Sequence, residues 1–415
     1  FQEKGWAVRA GDRRGSLFVT GTGDPDPAGP LGGSGWPSAY GPAIRLPNPV
    51  ESSAPPWKEP RDFEAPLAAE REGLALLEGI AKELAAELPG ARLERAILED
   101  GSSESDLVSS RGLRTSCRAR ACALHLEAIA PDRPRAGESR PLALATLDLA
   151  EREVRRLQPK GIARRLADRL HLANAEPLAK GSTRTGDVLL APPVAARLFA
   201  VIAPLFVGPR DEGEISALLG DPRRIASERV RIVDDGRLAG GLYEAAVDGE
   251  GVPTAEVVLV DRGVFLGPLL AWWHERTGGD GTPGSAGTVA GISRRASWRE
   301  LPSPGPSHFY LAPDAGVSVS SLVGALGRGA YLIDALARLD LARAEISIPV
   351  CGFEVEKGRA EAPIGRALLV GDIADFLRGI AAVARDLAFT PMTGPPGGAL
   401  GSPTILVRGL SLRGG

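Results

Sequence analysis

The twenty residues from Val188 to Val207 constrain the fold of this 415-residue chain most, because they are strongly apolar and carry a single charge, Arg197. Their length is sufficient for a helix that spans a membrane. However, Pro204 would break or kink such a helix, whereas the pair Pro192-Pro193 suits the first turn of a shorter one. We therefore predict a buried strand followed by a helix over about residues 193–205, and no membrane association.

Composition is that of a globular protein without affinity for polyanions. Hydrophobic residues make up 43% and charged residues 24% of the chain, which is typical of packed domains, and the length suggests two or three of them. The formal net charge of -3 gives no general attraction to nucleic acid or to an anionic membrane. Two arginine clusters are interpreted as solvated faces; they comprise Arg152, Arg155 and Arg156, and Arg164, Arg165 and Arg169.

The cysteines are too few for a disulfide scaffold. Cys117, Cys122 and Cys351 are an odd number at irregular spacing, which predicts reduced and mostly buried thiols. Near Phe1 there is no basic segment followed by an apolar one. We therefore expect a cytoplasmic protein.

Residues 1–180 are predicted to form an α+β domain in which helices pack on an antiparallel sheet. A hairpin over residues 5–23 precedes a long loop at 24–60, and helices are predicted at 64–88 and 159–172. The first helix has an apolar stripe of Leu67, Leu74, Leu77, Ile80, Leu84 and Leu88. Turns at 100–105 and 131–140 separate strands at 92–98, 106–110, 113–129 and 142–149.

Residues 181–415 are predicted to form a C-terminal domain that is mostly antiparallel β. A loop at 173–186 marks the boundary, and a glycine-rich loop is expected at 278–291. Besides the helix at 193–205, helices are expected at 319–326 and 373–387. Strands are expected at 187–191, 230–233, 256–260, 264–272, 309–312, 345–350, 352–356, 367–370 and 404–412.

Residue types used in common catalytic sites occur without the required spacing. No two of the four histidines (His125, His171, His274 and His308) lie within two helical turns of each other, so the paired ligands of a zinc peptidase helix are missing. Each histidine is interpreted as a structural or surface residue. The sequence also contains no Gly-x-Ser-x-Gly elbow, and the glycine-rich segment lacks the lysine of a phosphate loop.

Four carboxylates next to glycine-containing turns are the remaining candidates for acid–base chemistry. They are Asp234, Asp235, Asp248 and Glu250. Carboxylates in such turns commonly cap backbone N–H groups, and this structural role is favoured. Acid–base catalysis by Asp248 and Glu250 remains open as an alternative.

The order of motifs in the second half resembles a known family. Asp234-Asp235-Gly236 is followed by Leu238-Ala239-Gly240-Gly241, then by the segments 248–254, 258–260 and 263–267. Further matching segments are Arg294-Arg295, 306–311, 352–358, 362–363, 371–386, 402–404 and 409–411. Over residues 185–415 this order resembles the TldD/PmbA family, long labelled modulators of DNA gyrase and regarded as peptidases.

The resemblance implies that this chain belongs to the metal-free PmbA/TldE-like branch. Active family members carry His-Glu-x-x-x-His on the helix after the apolar strand, and a cysteine near the C-terminus completes the zinc site. Here Ala200, Val201 and Leu205 stand in place of His, Glu and the second His, and no cysteine occurs between Asp386 and Ser402. No zinc ligand, catalytic residue or cofactor is therefore expected. The residues of the freed helix that are expected to be largely buried are Leu198, Phe199, Val201, Ile202 and Leu205.

The function implied by the resemblance is that of a non-catalytic subunit. It would form a heterodimeric zinc metallopeptidase with a TldD-like chain and act on unfolded peptides. The alternative is a homodimeric peptide-binding module without proteolytic activity. The structural or peptide-contact motif is expected to comprise Asp234, Asp235, Asp248, Glu250, Gly251, Arg294 and Arg295. Two departures from the usual family pattern are His308 in place of Asn and the segment 342–346.

Overall fold

A computed structural model describes residues 4–12, 15–22, 70–131, 142–208, 223–271, 290–295, 297–335, 345–391 and 398–414. In these ranges the chain is α+β and dominated by strands. The predictions for the loops at 24–60 and 278–289, for the helix start at 64–69 and for the turn at 132–140 lie outside the described residues, as does most of the segment 342–346.

The first part of the chain contains two helices that pack on one face of an antiparallel sheet. The strands β1 (Gly5–Asp12) and β2 (Gly15–Thr22) form a hairpin. The sheet has the order β3-β4-β5, with β3 (Arg92–Val108), β4 (Arg114–Pro131) and β5 (Leu142–Glu151). The helices are α1 (Glu70–Glu87) and α2 (Pro159–Ala173). Their buried residues form one core with the inner face of the sheet: Leu76, Ile80, Leu84, Leu124, Leu126, Leu147, Leu166 and Leu170.

Two sequence predictions are wrong in this part. The turn expected at 100–105 is continuous strand, because each of these residues pairs with a residue of β4 from Cys117 to Cys122. The long partner strand therefore overrides the local preference of Asp, Gly and Ser for a turn. Leu74, predicted to lie on the apolar stripe of α1, is 52% exposed, whereas Ile80 and Leu84 are fully buried.

The second part of the chain contains two six-stranded sheets. One has the order β15-β14-β13-β6-β19-β16, and the other has the order β17-β18-β12-β7-β8-β9. The strands of the first are β6 (Thr183–Leu190), β13 (Arg328–Ala335), β14 (Glu345–Glu356), β15 (Arg359–Asp372), β16 (Ile380–Val383) and β19 (Ile405–Arg413). The strands of the second are β7 (Ile232–Asp235), β8 (Glu256–Asp261), β9 (Val264–Phe265), β12 (His308–Leu311), β17 (Ala388–Pro391) and β18 (Ala399–Ser402). A separate pair consists of β10 (Ser293–Arg294) and β11 (Ser303–Pro304).

Strand pairing in the second part is mostly antiparallel, as predicted, with two exceptions. Strands β6 and β13 pair in parallel, as do β12 and β18. Strand β6 begins at Thr183, inside the loop predicted at 173–186, and β14 joins two predicted strands across an irregularity at Val350/Gly352. A division into domains at residue 180 stays a prediction.

The helices of the second part are α3 (Pro192–Ile202), α4 (Val319–Leu326) and α5 (Ile373–Gly379). The bounds of α4 are as predicted. The helix predicted at 373–387 ends at Gly379, because the next residues form β16 and find backbone partners on β19. The strand predicted at 264–272 ends after Phe265, since Gly267 has a φ of 139° and the next residue is a proline.

Helix α3 occupies the centre of the second part. It contacts β13 of one six-stranded sheet and β18 of the other, and Ala203–Phe206 continue it as a 3-10 turn. Phe199 packs edge-to-face on Phe376 of α5, with ring centroids 5.9 Å apart. No helix in the described ranges is both long enough and apolar enough to cross a membrane.

Candidate functional site

A large cleft lies between the three-stranded sheet and helix α3. Its volume is about 1330 Å³, larger than the roughly 300–1,000 Å³ of small-molecule pockets. One wall is the outer face of β3, β4 and β5, where side chains alternate with those of the core. The other walls come from α2, α3 and the ends of strands in both six-stranded sheets.

Helix α3 divides its residues between the core and this cleft. Leu198, Phe199 and Ile202 are at most 2% exposed, as predicted. Val201 and Leu205 are partly buried and pack against the edge of the same core, so they are less completely buried than the other three residues. The reason is the helical period of 3.6, which turns Arg197, Ala200 and Val201 toward the cleft when Phe199 faces the core.

The carboxylates of Asp234 and Asp235 lie in a strand, not in a turn as predicted. Both belong to β7, and Asp234 is 1% exposed. Its Oδ1 accepts a hydrogen bond of 2.7 Å from the backbone N–H of Ser307. Burial raises the pKa of Asp234 to about 7, although Arg294 and the bond from Ser307 act in the opposite direction. Oδ1 of Asp235 accepts from the N–H of Arg237 at 2.8 Å, and burial also raises the pKa of Asp235.

Asp248 holds two chain segments together through backbone hydrogen bonds. Its Oδ1 accepts from the N–H groups of Glu250 and Val252, and its Oδ2 accepts from the N–H of Ser293, each at 2.9 Å. Burial raises the pKa of Asp248 to about 6, and the three backbone donors oppose this shift. With three acceptor positions filled, this carboxylate acts as a structural cap rather than as a free base.

Glu250 and Gly251 anchor the same loop to the first part of the chain. Glu250 Oε1 lies 2.9 Å from Nη1 of Arg9 in β1, and the glutamate side chain is 6% exposed. Gly251 has a φ of 85°, and a Cβ at this position would lie 2.1 Å from Leu113. Only glycine satisfies both the backbone conformation and the close contact at this position.

Arg294 and Arg295 lie beside these carboxylates. Burial lowers the pKa of Arg294, whose guanidinium lies 5.1 Å from the ring centre of Tyr243 and interacts with Asp234 and Asp248. Arg295 donates to the carbonyls of Gly249 at 3.2 Å and Glu300 at 2.9 Å. The predicted motif residues therefore come together, but none of these seven residues lines the cleft.

His308 is held neutral by the backbone on both sides of its ring. Nδ1 donates to the carbonyl of Asp235 at 2.7 Å, and Nε2 accepts from the N–H of Tyr243 at 3.1 Å. Burial lowers its pKa to about 4, with Arg294 and Arg152 acting in the same direction. The interpretation of this histidine as a structural residue agrees with these contacts.

His125 lies on the cleft wall, and its position was not predicted as part of a site. Nδ1 is 2.7 Å from Asp148 Oδ1 on β5, and Nε2 is 3.1 Å from Glu127 Oε1. Both carboxylates raise its pKa, the Asp148 hydrogen bond most. The strand alternation of β4 places His125 on the face opposite the buried Leu124 and Leu126, and this signal was present in the sequence.

The prediction that both arginine clusters are solvated faces is wrong for Arg152 and Arg169. Arg152 is 2% exposed and pairs with Glu244 at 2.9 Å. Arg169 of α2 binds Asp334 of β13 through two contacts, Nε–Oδ2 at 2.8 Å and Nη2–Oδ1 at 2.9 Å. Both carboxylates are far away in the sequence, so no local pattern could have revealed these pairs.

The described residues include no arrangement of three or more His, Cys, Asp or Glu side chains that could hold a metal ion. Cys122 and Cys351 are buried free thiols, and burial raises their pKa values to about 11 and 12. Such thiols are poor nucleophiles and poor metal ligands at neutral pH. Cys117 is not in a disulfide and is partly buried.

Several proteins of known sequence are similar to parts of this chain. A metalloprotease TldD homolog from Buchnera aphidicola is 24% identical over 201 residues, which are 46% of this chain and 40% of that protein. Metalloprotease PmbA from Escherichia coli O157:H7 is 23% identical over 210 residues, which are 50% of this chain and 43% of that protein. The chain therefore matches about two fifths of the length of these curated relatives.

Solved structures share the fold over nearly the whole chain. TldE from Thermococcus kodakarensis superposes with a TM-score of 0.73 at 18% identity, and the match covers 98% of this chain and 89% of TldE. A protein described as a candidate modulator of a DNA gyrase, from Thermotoga maritima, gives a TM-score of 0.72 at 16% identity, with 99% and 94% covered. At this identity the likeness establishes a common fold.

The family of this chain is established by the match of its second half to a family model. Residues 183–414, more than half of the chain, match the family described as PmbA/TldA metallopeptidase C-terminal domain. The motif order in the sequence and the shared fold agree with this match. This chain belongs to the TldD/PmbA family.

Proposed function

We propose that this chain is a metal-free, non-catalytic subunit that binds an unfolded peptide in the cleft and works with a metal-bearing TldD-like partner. The observation that carries the proposal is the α3 wall of the cleft. There Ala200 and Val201 face the cleft. They occupy the positions at which active members of the family would carry a histidine and the catalytic glutamate. The chain would thus keep a ligand-sized cleft without its own catalytic groups.

The residues at this wall do not fit zinc. Alanine, valine and leucine have no lone pair to donate, and structural or catalytic zinc sites require three or four N, O or S ligands. The orientation of imidazole ligands further depends on acceptors around them, and the neighbours of Ala200 on this face are Arg197 and Pro204. This misfit supports the part of the proposal in which another chain supplies the metal for hydrolysis.

Two sheet edges beside the cleft support binding of an extended peptide. Strand β5 is the last strand of the three-stranded sheet, and β17 is the last strand of one six-stranded sheet. Residues of both strands line the cleft, among them Leu144, Asp148 and Thr390. Edge strands offer unpaired backbone N–H and C=O groups, to which an extended peptide can add as a further strand.

Exposed apolar side chains on the sheet wall also favour an unfolded ligand. Leu144 is 57% exposed and Ile97 is 37% exposed, although both lie inside the cleft. Ala121 and Ala123 of β4 lie on the same wall and leave room between them. Apolar side chains of a peptide would remove this surface from water.

The experiment that tests the proposal is peptide binding by the full chain and by a variant with a filled cleft. Fluorescence anisotropy of a labelled, unstructured decapeptide should show saturable binding. Ala200→Trp should weaken it by about tenfold, or about 1.4 kcal/mol. Ala86→Trp, on the exposed side of α1, is the matched control and should leave binding unchanged.

Thermal unfolding of both tryptophan variants separates a local effect from misfolding. The proposal requires that Ala200→Trp stays folded and still loses affinity. Absence of binding by the unmodified chain, or equal affinity of the folded Ala200→Trp variant, would overturn it.

A further inference from the structure

One end of the cleft concentrates positive charge. Arg165 and Arg169 of α2 and Arg197 of α3 line it and act on the carboxylate of Asp334 of β13. Arg366, which also lines the cleft, lies in β15, a strand that contacts α2. Four guanidinium groups against one carboxylate leave an excess of three positive charges at this end. The remaining charged residues of the cleft, Glu99, His125 and Asp148, stand on the three-stranded sheet.

Asp334 is already committed to one of these arginines. The bidentate contact with Arg169 uses both of its oxygens, and Arg169 also donates to the carbonyl of Thr146 on β5. Burial raises the pKa of Asp334, while Arg169, Arg197 and Arg165 act in the opposite direction. Asp334 therefore forms its ion pair with Arg169, and Arg165 and Arg197 interact with it only electrostatically over a longer distance.

Arg165, Arg197 and Arg366 have no ion pair or side-chain hydrogen bond with any residue in the described ranges. Arg165 and Arg169 are one turn apart on the same helix, where like charges repel. Arg165 and Arg366 are exposed within the cleft, and Arg197 is half-buried. Among the described residues that line this end of the cleft, Asp334 is the only carboxylate available to these arginines.

We infer that this arginine cluster binds a carboxylate of an acidic peptide, so that the cleft selects extended peptides with Asp or Glu side chains. The inference rests on the proposed peptide-binding function and names its substrate class. Guanidinium groups match carboxylates in a planar, two-point geometry, and charge-assisted hydrogen bonds are about twice as strong as neutral ones. Thr146 connects the arginine cluster with the edge strand β5, since its carbonyl accepts a hydrogen bond from Arg169.

The position beside β5 explains why the carboxylate would belong to a peptide side chain. A peptide strand added at the β5 edge would run past Thr146, and its side chains would alternate about every 7 Å on the face of the cleft. One acidic side chain on that face would lie near the cluster, while apolar residues would meet the sheet wall at Leu144. The basic end would thereby set the register of the peptide.

The test compares three unstructured decapeptides with amidated C-termini that differ only in charge: one with Glu at alternate positions, one with Gln there, and one with Lys. The full chain should bind the Glu peptide about tenfold more tightly than the Gln peptide, as expected for one charge-assisted contact of about 1.4 kcal/mol. The preference should shrink with added salt. Amidation removes the terminal carboxylate, and excess acetate shows whether a free carboxylate competes.

The double charge reversal Arg165→Glu with Arg366→Glu should abolish or invert the preference for the Glu peptide. The matched control is Arg164→Glu, because Arg164 is exposed on the same helix and does not line the cleft. Circular dichroism and the midpoint of thermal unfolding verify that the variants are folded. If the double variant fails to fold, each single reversal is measured in its place.

The outcomes separate this inference from the proposed function. Tighter binding of the Glu peptide that depends on Arg165 and Arg366 supports the cluster as its binding site. Equal binding of the Glu and Gln peptides overturns the inference and leaves peptide binding intact. Absence of binding by all three peptides overturns both. A Glu preference that persists in the charge-reversed variant also overturns the assignment to these arginines.

Discussion

Arg152 and Glu244 form an ion pair that is almost completely closed to solvent. Nη1 lies 2.9 Å from Oε2, and the two side chains are 2% and 9% exposed. The same glutamate oxygen accepts from the N–H of Gly240 at 3.0 Å. The pair thus connects the segment after β5 with the glycine-containing turn that follows Asp235, and it stabilises the contact between the two parts of the chain.

Removal of this arginine should therefore be costly. Arg152→Ala leaves the Glu244 carboxylate buried without its partner, and we expect the free energy of unfolding to fall by about 3–5 kcal/mol. Arg164→Ala, at an exposed position of α2, is the matched control and should change stability by less than about 1 kcal/mol. Denaturant unfolding measures both. A loss below about 1 kcal/mol for Arg152→Ala would contradict the account.

His125 at the cleft and His308 beside the motif should titrate at different pH values. His308 is fixed as the Nδ1–H tautomer by two backbone contacts and has a pKa of about 4, so its ring should stay neutral from pH 5 to 8. The pKa of His125 is raised by Asp148 and Glu127, so this ring should take up its proton above pH 6.5. Nitrogen-detected NMR of the imidazoles measures both, and protonation of His308 near pH 6.5 would disprove its structural role.

The buried carboxyl of Asp234 should make stability fall as pH rises. Its pKa is about 7 in the folded protein and about 3.9 in an unfolded chain. Between these values the folded state retains a proton that the unfolded state has lost, so the free energy of unfolding decreases with pH. The contribution of Asp234 to the free energy of unfolding is fully present below about pH 4 and is lost as the pH rises to about 7.

Asp234→Asn isolates this contribution, because the amide oxygen can still accept from Ser307. The stability of the unmodified protein relative to this variant should be greater at pH 5 than at pH 8, as measured by denaturant unfolding. A difference that grows toward pH 8 would mean that Asp234 is stabilised as a charged group.

Helix α3 should respond to mutation differently on its two faces. Phe199 is fully buried and packs on Phe376, so Phe199→Ala should cost about 3–5 kcal/mol. Val201 faces the cleft and is only partly buried, so Val201→Ala should cost about 1 kcal/mol or less. Equal costs at the two positions would mean that Val201 is part of the core and not of the cleft wall.

Local patterns predicted the elements whose preferences agree with their surroundings. The bounds of α4 and nearly those of α2 follow from apolar periodicity, and the proline pair fixes the start of α3. The helix predicted at 373–387 failed because β19 offers backbone partners to Ile380–Val383. The turn predicted at 100–105 failed for the same reason on β4. Pairing with a distant strand is not visible in a local window.

The motif residues and a backbone-capping role for their carboxylates were recognisable from the sequence, but their position relative to the cleft was not. Asp234 and Asp248 accept hydrogen bonds from the backbone, Arg294 interacts with both, and none of the three lines the cleft. Arg169 and Asp334, which line the cleft and bind each other, are separated by 165 positions. Their contact could be found only after the packing of α2 beside β13 was known.

The measurement that tests the central claim most directly is peptide cleavage by reconstituted proteins. An unstructured peptide is incubated with this chain, with a metal-bearing TldD-like chain from the same source, and with both, and products are quantified by mass spectrometry. We predict no cleavage by this chain alone with or without added zinc, and chelator-sensitive cleavage by the mixture. Robust chelator-sensitive cleavage by this chain alone, in a sample shown to be free of the partner, would contradict the account.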